Sequence, residues 1–249
     1  MPFSIDPDIV LAVLMFLGAA LYTSVGHAGA SVYLALMALF GVAPEVMRPT
    51  ALVLNILVSS FTSVRFVSAG FFKWRALWPF LAGALPMAFL GGSIQLPGAF
   101  YKPLVGVVLL IAAVRLLWPR ELKTNADPID PPVIPAILCG VGIGFLSGLT
   151  GTGGGIFLSP ILLFMGWSAT RTASGIVAVF ILGNSTFGLL GNLASVNAVP
   201  AELPMYVIAV LAGAVVGTTL GIKKLPVEGI VKALGIVLII AGLKLIGLY

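Results

Sequence analysis

Two stretches decide how this chain is built: GIGFLSGLTGTGGGIFLSPILLF at Gly142–Phe164 and GAALYTSVGHAGASVYLALMALF at Gly18–Phe40. Laid over one another at an offset of about 124 residues, half the chain, they pair Gly29, Leu34, Leu39 and Phe40 with Gly153, Leu158, Leu163 and Phe164. Further on, Thr50 falls on Ser174. Each stretch is apolar, breaks at a run of small residues, and resumes as a short apolar segment.

The rest of the chain says what solvent surrounds such segments. Of 249 residues, 60% are hydrophobic and 8% charged, and the mean hydropathy is +1.17. A soluble domain carries about 25% charged residues, and a third of that cannot keep a globule of this size in water. The solvent is lipid. Soluble enzymes, nucleic-acid-binding domains and disulfide scaffolds are excluded. The formal net charge of +5 reflects basic residues at segment ends. Cys139 stands alone in an apolar run, which leaves no disulfide framework and no thiolate metal cluster. No metal or cofactor is expected. The amino terminus MPFSIDPD carries Asp6 and Asp8 and no basic residue, so its apolar run reads as a retained membrane segment, not a cleaved leader.

Ten apolar runs follow, at 9–25, 28–42, 46–68, 76–96, 100–118, 133–150, 153–167, 172–194, 203–222 and 228–248. A helix needs about 20 residues to cross about 30 Å of hydrocarbon; 28–42 and 153–167 fall short. Barrel strands alternate apolar and polar residues, and these runs do not. Gly and Pro within them (Pro86, Gly91, Gly92, Pro160) are tolerated because neighbouring helices satisfy the freed backbone groups. The expected fold is all-α: a polytopic helical bundle with short or broken helices at its centre.

Threading ten crossings sorts the basic residues. Arg65, Lys73, Arg75, Arg115, Arg120, Lys123, Arg171, Lys223, Lys224 and Lys232 fall on one side, against Arg48, Lys102 and Lys244 on the other. Basic residues mark the cytoplasmic side, so both termini are expected on the periplasmic side of a bacterial inner membrane. A short run that pairs with its predecessor as a re-entrant hairpin leaves this result unchanged. The polar stretch from Pro119 to Pro132 reads as the linker between a first repeat at 1–124 and a second at 125–249. Five segments per half is an odd number, so the halves are expected to be oppositely oriented. Inverted repeats with substrate held near the midplane at broken helices are a feature of secondary transporters.

The candidate site lies at the breaks: Gly151, Thr152, Gly153, Gly154 and Gly155 in the second half, and Gly26, His27, Ala28, Gly29 and Ser31 in the first. Each run precedes a short apolar segment. A helix N-terminus presents unpaired N–H groups and a partial positive charge, which suits an anion; glycines that merely allow close helix packing are the plainer alternative. His27 is the single histidine and titrates near neutral pH, so it is a candidate ligand or proton carrier. Asn55, Ser59 and Ser60 in the third run, and Asn184, Ser185 and Thr186 in the eighth, supply neutral polar groups. The substrate-contacting candidates among them are Asn55 and Asn184, with helix bridging the alternative. Arg48 and Arg171 precede those segments on opposite faces, either drawing anions to each mouth or snorkelling. All eight carboxylates fall at ends or loops, which disfavours a cation substrate. No residues assemble for catalysis.

The duplicated G-x-G-G-G…P pattern, whole at Gly151–Pro160 and degraded at Gly26–Ser31, resembles the TauE/SafE family of sulfite and organosulfonate exporters, also called the toluenesulfonate uptake permease family. The resemblance spans the whole chain. It implies transport of small sulfur-containing anions such as sulfite, sulfoacetate or other organosulfonates, linked to protons. His27, Ala28, Ala30, Ser31 and Leu36 depart from the pattern in the first half. A passive anion channel and a small-carboxylate transporter are the rival readings. The expected partners are the lipid bilayer and a small anionic substrate, with no nucleic acid; a homodimer stays open. Cysteines engineered at Lys73 and in the loop around Asn197 should label from opposite faces of the membrane, Lys73 and Lys123 from the cytoplasm; same-side labelling of Lys73 and Asn197 refutes inverted halves.

Overall fold

The computed structural model describes residues 6–117, 128–193, 199–223 and 228–247; Arg120, Lys123, Lys224, the loop around Asn197 and most of the proposed linker lie outside them. Among the described residues there are ten helices and no strand. They are α1 (Pro7–Ser24), α2 (Ala30–Leu39), α3 (Pro44–Ser68), α4 (Trp74–Ser93), α5 (Gly98–Leu117), α6 (Val133–Thr150), α7 (Gly155–Phe164), α8 (Thr170–Gly191), α9 (Leu203–Lys223) and α10 (Glu228–Ile246). Each apolar run forms one helix. Seven are long and apolar enough to cross a membrane, while α2 and α7 have ten residues each, about 15 Å at 1.5 Å per residue.

Local chemistry sets the ends. Asp6 accepts the Asp8 amide at 3.0 Å and Pro7 takes the first position of α1; Pro44 does the same for α3, where no intrahelical partner exists for the missing N–H. Pro49, Pro79, Pro86 and Pro160 lie inside helices.

The distribution of polarity is inverted relative to a soluble protein. Ile9, Val13 and Leu17 on α1, and Val107, Ile111 and Val114 on α5, are exposed one turn apart, forming apolar stripes toward lipid. Thr23, Asn55, Ser59, Asn184 and Ser185 are fully buried. Polar groups here can be satisfied only by one another.

Helix pairs pack through glycine. Along α4 and α6, Gly140 abuts Phe80, Gly144 abuts Ala84 and Gly148 abuts Ala88, backbone against backbone. Both sets of numbers rise together, so the two helices run in the same direction. Along α1 and α9, Gly213 abuts Phe16, Gly217 abuts Ala20 and Gly221 abuts Ser24, again in the same direction. Close backbone approach of this kind is the main source of helix association in lipid. At the centre α3 and α8 run antiparallel: Leu52 lies against Gly188, Asn55 meets Ser185, and Phe66 lies against Gly175. Helices α5 and α10 are antiparallel too, with Gly106 by Gly242 and Gly235 by Leu117.

These contacts give every span a direction. Arg171 at the start of α8 donates to Ile222 O at the end of α9 and stands 5.2 Å over the Phe71 ring in the α3–α4 turn. That end of the bundle also carries exposed Lys73 and Arg75. Helix α1 runs toward it beside α9, whereas α6 runs away from it beside α4. The short helices double back. Ile129, just before α6, donates to Gly166 O, just after α7, so α6 and α7 form a hairpin that enters and leaves at the basic end. At the other end Lys244 donates to Leu39 O at the end of α2, and α1 starts there beside α9, where Tyr206 donates to Asp8. Each short helix thus returns toward the end at which its long partner starts, while α1 and α6 are themselves long enough to cross.

Gly144→Val should push α4 from α6, because a β carbon there meets the Ala84 backbone. Overpacking costs about 1–3 kcal/mol. Thermal unfolding in detergent should show the loss, with Gly142→Val, in open space, as the near-neutral control.

Candidate functional site

Backbone dihedrals build the two turns. Helix α6 ends on Gly151 at φ +83°, and α7 is capped by Gly154 at φ +79°. In the first half Gly26 at φ +79° and Gly29, the cap of α2, at φ +103° do the same. Residues with a β carbon resist this left-handed region. Matched by conformation, Gly26 corresponds to Gly151 and Gly29 to Gly154, one residue beyond the pairing of Gly29 with Gly153 in the sequence overlay. Gly153 has positive φ as well, at +75°, so it is the place of the caps, directly before α2 and α7, that gives this register. His27 therefore corresponds to Thr152, and Ala28 to Gly153.

The turns sit at opposite depths. Gly26 packs on the Ser174 backbone near the basic end, and Gly151 packs beside Arg48 near the other. Their helices nevertheless reach one another. His27 Nε2 lies 3.1 Å from Gly155 O, the first residue of α7, and Nδ1 lies 3.1 Å from Val25 O. Tyr22 meets the imidazole edge-on at 6.1 Å and takes a 2.8 Å hydrogen bond from Ser31. Tyr33 reaches back under its own turn to donate to Ala28 O at 2.6 Å.

One asparagine from each central helix holds its own half's turn. On α3, Asn55 Oδ1 accepts the first amide of α2, Ala30 N–H, at 3.1 Å, and its Nδ2 donates to Ser185 on α8 at 3.3 Å. On α8, Asn184 Nδ2 donates to Gly153 O at 3.2 Å and to Ser147 Oγ on α6. A buried hydrogen bond is worth about 0.5–1.5 kcal/mol net, yet an unpaired buried group costs more. The asparagines therefore matter chiefly as the partners that irregular backbone requires. The pair is not symmetric. Asn55 uses both ends of its amide, whereas Asn184 Oδ1 is buried without a partner. Nor does any side chain among the described residues accept from the first amides of α7. Thr152 Oγ1 is 3.0 Å from Thr150 Oγ1, and a β carbon on Gly153 would meet Asn55 and Ser185.

Thus Gly26, His27, Ala28, Gly29, Ser31, Asn55, Gly153, Gly154, Gly155 and Asn184 gather around the two turns. Gly151 and Thr152 lie toward the end opposite the basic one. The arginines stand apart. Arg48, buried on α3, donates to Gly91, Gly92 and Ile94 carbonyls at 2.8, 2.6 and 2.9 Å, closing the C-terminus of α4. Arg171 makes its single carbonyl bond at the end of α9. Both neutralise the negative end of a helix dipole. Sequence reading missed Ser147, Tyr22 and Tyr33. A tyrosine inside an apolar run is a signal, because its hydroxyl needs a partner when buried; Ser147 offered none beyond its place in the small-residue run.

Apolar stripes facing outward around two buried turns held by polar side chains define a polytopic membrane protein with a central polar site. The chain belongs to the TauE/SafE family, whose model, described as "Sulfite exporter TauE/SafE", matches residues 10–245. It is similar to the probable membrane transporter protein y4hK of Sinorhizobium fredii, 40% identical over 95% of this chain and 97% of that one. It also resembles the probable membrane transporter protein YjnA of Bacillus subtilis, 26% identical over 93% and 96%. The probable membrane transporter protein MJ0441 of Methanocaldococcus jannaschii is 32% identical over 49% and 46%. No solved structure matches. The protein is a membrane transporter and not an enzyme.

Arg48→Met should destabilise the protein by about 2–4 kcal/mol, since three carbonyl bonds are lost from a buried position. Arg171→Met, with one carbonyl partner and partial exposure, should cost under about 1.5 kcal/mol. Denaturation midpoints in detergent check the difference; equal losses refute the ranking.

Proposed function

We propose that the protein is a secondary transporter of small sulfur-containing anions (sulfite, sulfoacetate or other organosulfonates) across a bacterial inner membrane. Residues 1–124 and 125–249 act as inverted repeats around a site at the two turns. Proton linkage and periplasmic termini belong to the same reading. The observation that carries it is the meeting of two glycine-capped helix starts inside the bundle, linked by Asn55 and by the contact of His27 with Gly155. Helix starts attract anions through amides and dipole, and the carboxylates of the sequence fall at helix ends and in loops. The opposite directions of α1 and α6, and of α3 and α8, support the inversion.

His27 is the proton carrier in this reading. Both its ring nitrogens face carbonyl oxygens. A neutral imidazole donates from one nitrogen only, while the imidazolium donates from both. Protonation thus allows both bonds at once, and the neutral ring keeps one of them, to Val25 or to Gly155 according to its tautomer. His27→Gln should bind anion but lose the pH dependence of uphill flux between roughly pH 5 and 8. Flux into proteoliposomes, with a protonophore as control, checks this. Flux indifferent to the protonophore points to a channel; an unchanged pH profile in the variant removes His27 from coupling.

A further inference from the structure

We infer that the outer face of α4 binds one anionic phospholipid, with Lys73 and Arg75 on its phosphate and an acyl chain in the groove between α4 and α8. The site lies on the lipid-facing surface, apart from the two turns, and does not depend on what is transported. Trp74, Trp78, Leu81, Leu85 and Phe89 of α4 and Phe187 of α8 line this groove, whose volume is about 720 Å³. Sites for small molecules run from about 300 to 1,000 Å³. Every lining residue is apolar. Ala82, exposed in the middle of the row, is short beside these large side chains and leaves the depression between them. Gly183 lets α8 close the other side, since a β carbon there would stand 3.2 and 3.4 Å from Leu85 and Leu81. Between Trp78 and Phe89 the helix rises about 16 Å, close to one leaflet's share of about 30 Å of hydrocarbon.

Charge at the head of the groove names the occupant. Arg75 shares the groove's face of α4, one turn before Trp78 and two before Ala82, and Lys73 flanks it. Both are exposed, and neither makes a hydrogen bond or ion pair with another described residue. Arg65 and Arg171 at the same end are engaged, donating to Thr219 and to Ile222 O. The first turn of α4 holds no acidic residue, and Asp130, at this end before α6, pairs with neither cation. Trp74 and Trp78, 58% and 38% exposed, carry the amphipathic rings that sit at headgroup level. A guanidinium fits phosphate oxygens two at a time, and basic groups beside clefts between membrane helices hold anionic headgroups. A cation that merely snorkels has no need of an apolar groove beneath it. A second copy of the chain fits worse: a two-fold contact joins identical patches, which sets Lys73 and Arg75 of both copies at one level with no opposite charge.

Native mass spectrometry of the detergent-purified full chain tests this, with phosphatidylglycerol and phosphatidylcholine of identical acyl chains as probes and glycerol 3-phosphate as the headgroup alone. A basic residue near an anionic lipid is worth about fivefold in binding, so one phosphatidylglycerol should be held at least about tenfold tighter than phosphatidylcholine. The double change Lys73→Gln with Arg75→Gln should bring that ratio to about one. Ala82→Phe, which fills the groove from an exposed position, should weaken retention of both lipids at least about fivefold. A wild-type ratio near one overturns the inference, because the face then meets lipid without selection. A ratio that survives the double change, or retention unaltered by Ala82→Phe, overturns it as well, since headgroup or chain then lies elsewhere. Glycerol 3-phosphate bound as tightly as the whole lipid reduces the site to an ion site and overturns the groove's part. A protein dimer that Ala82→Phe dissociates shows a second copy in the groove and overturns it too. The wild-type ratio and the headgroup comparison need no variant, so they decide even where a variant fails to fold.

Discussion

Backbone that leaves the helix at membrane depth must find every hydrogen-bond partner inside the protein. Lipid offers none, and each group left bare costs several kcal/mol. The hairpins of α1 with α2 and of α6 with α7 each break in that way. The antiparallel pair α3 and α8 answers the demand with Asn55 and Asn184. Much else follows from where those two side chains must be. The central helices carry their polar residues inward, the short helices start against them, and the remaining spans pack around this core.

The same scarcity of partners explains the arginines and the glycines. Helices that end within or near the bilayer expose carbonyls, and Arg48 closes those of α4 with three bonds. Lys244 serves Leu39 at the end of α2, and Arg171 serves Ile222 at the end of α9. Between spans, apolar side chains gain nothing by leaving lipid for one another, so association depends on close backbone approach. The glycine rows at 140, 144 and 148, and at 213, 217 and 221, provide it. Both rows lie after residue 125, on α6 and α9, and pack against α4 and α1 from the first part of the chain.

The difference between the two turns at the centre is where transport specificity resides in the proposed reading. The first half spends its asparagine on capping its own short helix; the second leaves a helix start uncapped. His27 reaches across to α7, and the hydroxyl of Thr152, its counterpart by conformation, meets that of Thr150 two residues away.

How much of this was legible in the residues depends on the range of the interaction. Composition, run length and the glycine clusters determined the solvent, the ten helices, the two shortened ones and the location of the turns, because hydropathy and backbone freedom are properties of consecutive residues. The site candidates at 26–31 and 151–155 came from the same local signal, and the family was recognisable from it. The overlay and the caps differ by one residue because Gly153 and Gly154 look alike in sequence, both have positive φ, and only their place relative to α7 separates them. What tertiary structure alone decided are the partners: that Asn55 takes an amide while Asn184 gives only N–H groups, that Ser147 and Ser185 complete them, that His27 meets Gly155, and that Arg48 turns to carbonyls of α4. These join residues up to 130 positions apart. Their geometry depends on how helices cross, and no stretch of sequence read by itself carries a crossing angle.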